Sequence, residues 1–309
     1  MSGRVLVVGE SLIDVVDRDG VRTRHVGGSP LNVAFGLARL GIPTIFATEY
    51  GDDEDGVAID LHLASAGVEI ERVDAGDRPT SSAVAHIGPD GSASYDFDLE
   101  WDFARPPAAA RAQVVHVGSI GALRRPGADR VLALVEALPE DVLVTFDPNI
   151  RPALMPPATA SRALVERYAT RAGVVKLSDE DAAWLFPDGG AVERLLACGA
   201  RIVAVTRGAE GSVLHSAHST VEVPARPTVV VDTIGAGDSY MSGLLAAIVN
   251  KLGVEALLGS EASPADLASI GRVAAVAAAI TVGRAGALPP TAAELQRGLR
   301  EAGEAVASA

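Results

Sequence analysis

Residues 229–239 read Val-Val-Val-Asp-Thr-Ile-Gly-Ala-Gly-Asp-Ser. A β-branched run ends at Asp232, Gly235 and Gly237 stand one residue apart, and Asp238 opens a helical pattern, Tyr240–Val249. The stretch predicts a strand over 229–231, a tight loop and a helix N-terminus, an arrangement that gathers backbone N–H groups around an anion. A carboxylate beside an anion site meets like charge. It makes sense if Asp238 takes a proton from a hydroxyl that then attacks phosphorus. No Gly-Lys-Ser/Thr follows, which excludes a P-loop. The third glycine of a dinucleotide fingerprint would fall on Tyr240, and the motif lies far from the first βαβ unit, which argues against a nicotinamide site.

Working outward, strands at Val114–Val117, Val142–Phe146, Val174–Leu177, Ile202–Thr206 and Ser212–His215 are separated mostly by helical segments. This alternation predicts βαβ units around a mainly parallel sheet. A first strand, Arg4–Val8, ends at Gly9, and Thr44–Thr48 is another. Ser29 is read as the cap of a helix with Pro30 at its first position, and Gly67 stops a second helix, Gly56–Ala66. Two predicted hairpins break the rhythm. Leu12–Val16 and Val21–Val26 flank Asp17–Gly20, and Ser81–Ile87 and Ala93–Leu99 flank Gly88–Gly91. They suggest a small β lid over the C-terminal ends of the main sheet, where open α/β sheets place ligands.

Asp-Thr-Ile-Gly-Ala-Gly-Asp-Ser resembles the C-terminal signature of the ribokinase-like (PfkB) carbohydrate kinases, and Gly27-Gly28-Ser29-Pro30-Leu31-Asn32 resembles their N-terminal signature. The resemblance runs from about Val5 to Pro290. It implies a three-layer α/β/α sandwich, one kinase domain over 1–309, and a lid formed from about 12–26 and 80–103. It assigns Asp238 as catalytic base and the N–H groups of Gly235, Ala236 and Gly237 as an anion hole. Gly27 and Gly28 would let backbone approach the sugar, with Asn32 and Asp14 holding its hydroxyls. Asp147-Pro148-Asn149-Ile150-Arg151-Pro152 is similar to a segment of the fructokinase-like branch, with Asp147 and Asn149 facing phosphate or metal.

On the nucleotide side the resemblance points to Lys176, Thr206, Gly208, Gly211 and Thr233. Ser178 and Asp181 stand where the family carries Asn-x-x-Glu, a departure that leaves Asp181 to meet Mg²⁺ through water. Asp232 would border a monovalent-cation site, K⁺ being the implied ion. Ala279–Pro290 resembles the wall of the adenine and cation sites. The implied reaction is transfer of the γ-phosphoryl group of ATP, with Mg²⁺, to a neutral sugar, fructose first. 2-Keto-3-deoxygluconate, ribose and nucleosides are alternative acceptors, and a non-catalytic sugar-binding protein is the rival class. The strip Asp96, Asp98, Glu100, Asp102 argues against a sugar acid, Arg105 arriving late.

The 309 residues carry 26 Lys and Arg against 40 Asp and Glu, a net charge of −14. Nucleic acid and anionic membranes need clustered cations, so neither is an expected partner. A hydrophobic share of 48 % fits a globular chain. Cys198 is the only cysteine, so no intrachain disulfide forms. Glu10 and Asp14 interrupt the apolar N-terminus, which therefore reads as a strand and not a secretion signal. The apolar run Val273–Val282 falls short of the roughly 18 residues of a membrane span. A cytoplasmic protein is expected, and the resemblance adds a homodimer formed through the lid.

Overall fold

A computed structural model describes residues 3–18, 20–73, 77–87, 93–103, 107 and 112–307. The predicted turn Gly88–Gly91, with Asp19 and Arg105, lies outside the described residues. Its strands are β1 (Val5–Val8), β2 (Leu12–Arg18), β3 (Val21–Gly27), β4 (Thr44–Thr48), β5 (Glu69–Arg72), β6 (Ser82–Ile87) and β7 (Ala93–Asp98). There follow β8 (Val114–Gly118), β9 (Leu143–Asp147), β10 (Ala172–Ser178), β11 (Ile202–Thr206), β12 (Ser212–His215) and β13 (Thr220–Val223). Among the described residues they form a nine-stranded sheet, β13-β12-β11-β10-β9-β8-β1-β4-β5, and a four-stranded sheet, β3-β2-β6-β7.

The large sheet is parallel from β11 to β5, and β12 alone runs against it, pairing antiparallel with both β11 and β13. β1, β4, β8 and β9 are buried along their whole length. Helices cover both faces, so these strands are largely apolar, and the His116 ring of β8 and the Thr145 hydroxyl of β9 are buried against each other at 3.0 Å. Val5 and Val7 enter one core, and Leu6 and Val8 enter the other, as alternation along a strand requires.

Chain order fixes the crevice. From β1 the chain builds β4 and β5 on one side, then crosses to build β8 to β11 on the other. The order reverses between β1 and β8, and an open sheet binds ligand outside the strand ends at such a point. Gly9-Glu10 and Gly118-Ser119 stand there.

The lid expectation holds in outline. β2 and β3 form one hairpin, β6 and β7 the other, and parallel pairing of β2 with β6 joins them. Leu12 of β2, Leu99 after β7 and Ile120 after β8 pack together where the lid meets the main sheet.

Four sequence readings change. Residues 229–231 are not a strand: Val229, Val230 and Val231 are 82 %, 64 % and 58 % exposed. The N–H groups of Val231 and Asp232 both donate to the Val282 carbonyl, at 2.9 and 3.2 Å, so no second strand lies alongside to build a ladder. Ser29 does not cap its helix, Ser29–Arg39. The cap is Gly28 at φ 108°, a conformation that a side chain resists. Third, β5 and β13 are short, partly exposed strands that the sequence reading omits. Last, the apolar run Val273–Val282 belongs to a helix, Pro264–Val282, whose length and composition do suit a membrane span. Here it is a core helix. Leu267, Ile270, Val273, Ala274 and Ala277 are buried with Met241, Leu244 and Leu245 of the helix Ala236–Ala247.

Candidate active site

Gly235 lies in the left-handed region at φ 73° and caps the helix Ala236–Ala247. A Cβ at Gly235 would stand 2.5 Å from the Ala287 Cβ, so both conformation and space demand glycine. The first turn of a helix leaves its N–H groups without intrahelical partners. One of the three expected anion-hole donors is committed: the Ala236 N–H donates to the Thr233 carbonyl at 3.2 Å. Asp238 falls in this first turn and is buried.

Two side chains from the first signature reach it across 209 and 206 residues of sequence. The Ser29 hydroxyl donates to Asp238 Oδ1 at 2.6 Å, and the Asn32 amide donates to Oδ2 at 2.9 Å. Each carboxylate oxygen keeps lone-pair capacity. Both donors come from the helix that Gly28 caps, which locks the carboxylate's orientation. Ser29 is a site residue that the sequence reading took only for a cap.

Asp14 sits on β2, opposite His25 of β3. Its carboxyl group faces open solvent yet is crowded by protein on its other sides. That crowding raises its pKa, and the charges of His25 and Arg151 pull it back. A Cβ on Gly27 would stand 2.1 Å from Asp14 Oδ2, and one on Gly28 would stand 2.8 Å from the Glu10 carbonyl. The two glycines therefore make room for the chain's own groups.

Beneath the helix N-terminus, Lys176 Nζ contacts Asp147 Oδ2 at 2.9 Å, both groups fully buried. Asp147 ends β9, and Lys176 lies near the end of its parallel neighbour β10. A Cβ on Gly237 would lie 3.2 Å from Nζ, which places the ammonium directly under the anion-binding turn. Burial works against the Lys176 charge, but Asp147, Asp181 and Asp238 outweigh it and raise the pKa, so the lysine stays protonated. Burial raises Asp147 to about 6 against the pull of Lys176. Near pH 7 the pair is ionic.

Asp181 is already engaged. It forms a capping box with Ser178: the Ser178 hydroxyl accepts from the Asp181 N–H at 3.0 Å, and Asp181 Oδ2 accepts from the Ser178 N–H at 2.9 Å. Its Oδ1 accepts from the Ile150 N–H at 2.9 Å. It thereby ties the Asp147–Pro152 segment to β10, and Asn149 within that segment is at φ 39°. Among the described residues no group of three or more His, Cys, Asp or Glu could hold a metal ion. The residues present suit a divalent ion carried in on phosphate and met through water.

The Thr206–Gly211 stretch is the β11–β12 turn. Gly208 at φ 52° has open space beside it, whereas a Cβ on Gly211 would strike the Val223 carbonyl at 2.2 Å. Gly211 therefore serves the fold itself. Asp232 accepts from the Ile234 N–H at 3.0 Å and the Gly286 N–H at 2.9 Å, which joins the glycine loop to the Ala279–Pro290 segment and holds its carboxyl pKa down. Thr233 is exposed beside it. A cleft of about 210 Å³ opens along this segment, between Thr228, Ala279, Ile280 and Arg297.

The acidic strip is partly neutralised. Glu100 pairs with Arg78 at 3.3 Å and Asp102 with Arg130, while Asp96 shares a hydrogen bond with His86 at 2.9 Å. Trp101 is buried, and its ring N–H donates to the Gly121 carbonyl at 3.0 Å. The strip is thus a weaker barrier to a sugar acid than its sequence suggests.

Comparison with known proteins decides the family. The pfkB family carbohydrate kinase pattern matches residues 3–293. The chain belongs to the pfkB family of carbohydrate kinases. Fructokinase from Rhizobium leguminosarum bv. trifolii is 32 % identical over 259 residues, 79 % of each chain. Fructokinase from Klebsiella pneumoniae is 33 % identical over 262 residues, 80 % of this chain and 85 % of that one. The crystal structure of fructokinase with bound ATP from Xylella fastidiosa superposes with a TM-score of 0.84 at 26 % identity, covering 98 % of this carbohydrate kinase and all of that chain.

Proposed function

We propose that this carbohydrate kinase transfers the γ-phosphoryl group of ATP to a hydroxyl of fructose. The observation that carries the reading is Asp238, buried at a helix N-terminus with one oxygen held by Ser29 and the other by Asn32. Such a carboxylate is positioned before substrate arrives. In the reaction, Asp238 accepts the proton of the sugar hydroxyl. The hydroxyl oxygen forms a bond to the γ-phosphorus as the bond to the β-phosphate oxygen breaks, and ADP leaves. Asp14 and Asn32 hold the sugar, and lid closure excludes water.

The free N–H groups at Gly235 and Gly237, with the Lys176 ammonium beneath, face the transferred phosphoryl group and stabilise charge that grows on it. The exposed apolar segment 229–231, with Ile234 and Leu288, offers a surface for the adenine. Mg²⁺ neutralises phosphate charge when bound, and Asp147 and Asp181 would meet its waters through their remaining lone pairs. Asp232 and Thr233 would border a K⁺ site, which comparing rates in KCl and choline chloride checks. A coupled ADP-release assay with Mg-ATP tests the substrate against fructose, ribose, 2-keto-3-deoxygluconate and adenosine. Fructose is expected to give the highest kcat/KM. A preference for another acceptor by tenfold or more refutes fructose.

A further inference from the structure

Glu10 is the side chain at the topological switch point, directly after β1 and facing the turn after β8. It is 4 % exposed. Its Oε2 accepts from the Gly121 N–H at 2.7 Å, while Oε1 is buried without a hydrogen-bond partner. A buried, unpaired carboxylate oxygen is costly to keep. Burial accordingly lifts the pKa to about 7. The Ser119 hydroxyl and the Gly121 N–H partly offset that, without a hydrogen bond closing on Oε1, and Asp238 is near enough to add to the rise. Ser119 itself is held at φ 54°, a backbone strain that a non-glycine residue adopts only where its surroundings enforce it.

Glu10 lines a cleft of about 250 Å³ together with Leu99, Trp101 and Ile120. Arg124 lines the same cleft, and its guanidinium donates to the Leu99 carbonyl at 2.8 Å. The cleft wall thus holds an unused acceptor, buried just beneath its surface, and a cationic donor. A hydroxyl group satisfies both, because it donates and accepts. A carboxylate suits Arg124, with Arg78 and Arg125 at the same cleft, but at Glu10 itself it meets like charge.

We propose that Glu10 is a specificity-determining residue of the acceptor site, with Oε1 accepting a hydrogen bond from a hydroxyl of a neutral sugar at the end remote from Asp238. The proposal rests on the kinase reading and names which group selects the acceptor. A site built to pair a hydroxyl discriminates strongly against analogues that cannot donate there.

The test is calorimetric titration of fructose, 2-keto-3-deoxygluconate and Mg-ATP into the full chain and into Glu10→Gln and Glu10→Asp, with ADP-release kinetics on the same samples. The amide keeps an acceptor for Gly121, so the Gln variant retains the fold, and the Asp variant keeps the charge but withdraws it. Both variants are expected to weaken fructose binding about tenfold or more, with Mg-ATP binding within twofold of wild type. In Glu10→Gln the ratio of fructose to sugar-acid binding shifts tenfold toward the acid, which a merely structural role would not do. Unchanged fructose binding in both variants, or a wild type that prefers the acid, overturns the proposal. A wild type that binds fructose but transfers no phosphate refutes the kinase reading and leaves the Glu10 comparison to decide this one.

Discussion

Replacing Glu10 by Gln should make the protein more stable at alkaline pH while weakening its hold on the sugar. In the fold the Glu10 carboxyl titrates at about 7 instead of an ordinary 4.5, because burial penalises its charge. A carboxylate raised in the folded state binds its proton more tightly there than in the unfolded chain. Stability is therefore full below about pH 4.5 and falls as pH rises toward 7. The penalty above pH 7 is about 3 kcal/mol, set by the size of the pKa rise. Asp238 adds to it, while hydrogen bonds from the Ser119 side chain and from the backbone at Glu10 and Gly121 relieve it. Glutamine cannot ionise, so the penalty vanishes. Thermal melts at pH 8 should place the variant about 5–10 °C above wild type, and the gap should close by about pH 5. Equal melting at pH 8, or a gap independent of pH, would refute the burial argument. A gain of this kind at a binding group is the usual exchange of stability for function.

The remaining predictions rest on the buried pair, the carboxylate's donors, the glycine cap and the lid. Lys176→Met strands the Asp147 carboxylate and should cost about 3–5 kcal/mol. Adding Asp147→Asn should recover part of that in denaturant melts, and a double variant no more stable than Lys176→Met alone refutes the pairing. Asn32→Ala removes one of the two donors to Asp238 and should lower kcat/KM for sugar about 10- to 100-fold with Mg-ATP binding unchanged in titration. Gly235→Ala places a methyl group on Ala287 and distorts the anion-binding turn. A kcat fall of about 10²–10³ is expected in the coupled assay, and activity within twofold of wild type refutes the role. Val21 and Phe97 are exposed on the lid, by 68 % and 39 %. A homodimer through this sheet predicts twice the chain mass in light scattering, and a monomer at working concentration rejects it.

The parallel sheet was legible because strands covered on both faces leave largely apolar runs, unbroken at Val5–Val8 and interrupted only by Thr145 at Leu143–Phe146. The same rule misled at 229–231, where three valines face solvent beside the glycine loop; an apolar run states a need for cover without naming what supplies it. β5 reads Glu-Ile-Glu-Arg, and its partly exposed edge carries little apolar signal. Ser178 with Asp181 is a local pattern, which sequence identifies readily. The Lys176–Asp147 pair spans 29 residues and exists only because β9 and β10 are neighbours. Glu10 looked like an interruption of a strand. Its importance comes from lying where the strand order reverses, which no single segment discloses.

The central claim is that Asp238 takes the proton in phosphoryl transfer. The most direct measurement is ADP release from Mg-ATP with fructose by wild type and Asp238→Asn, beside Mg-ATP titration of both. Asparagine keeps the shape but cannot serve as base. A kcat lower by about 10²–10⁴ is expected for the variant, with nucleotide binding retained. Turnover by the variant within tenfold of wild type would contradict it.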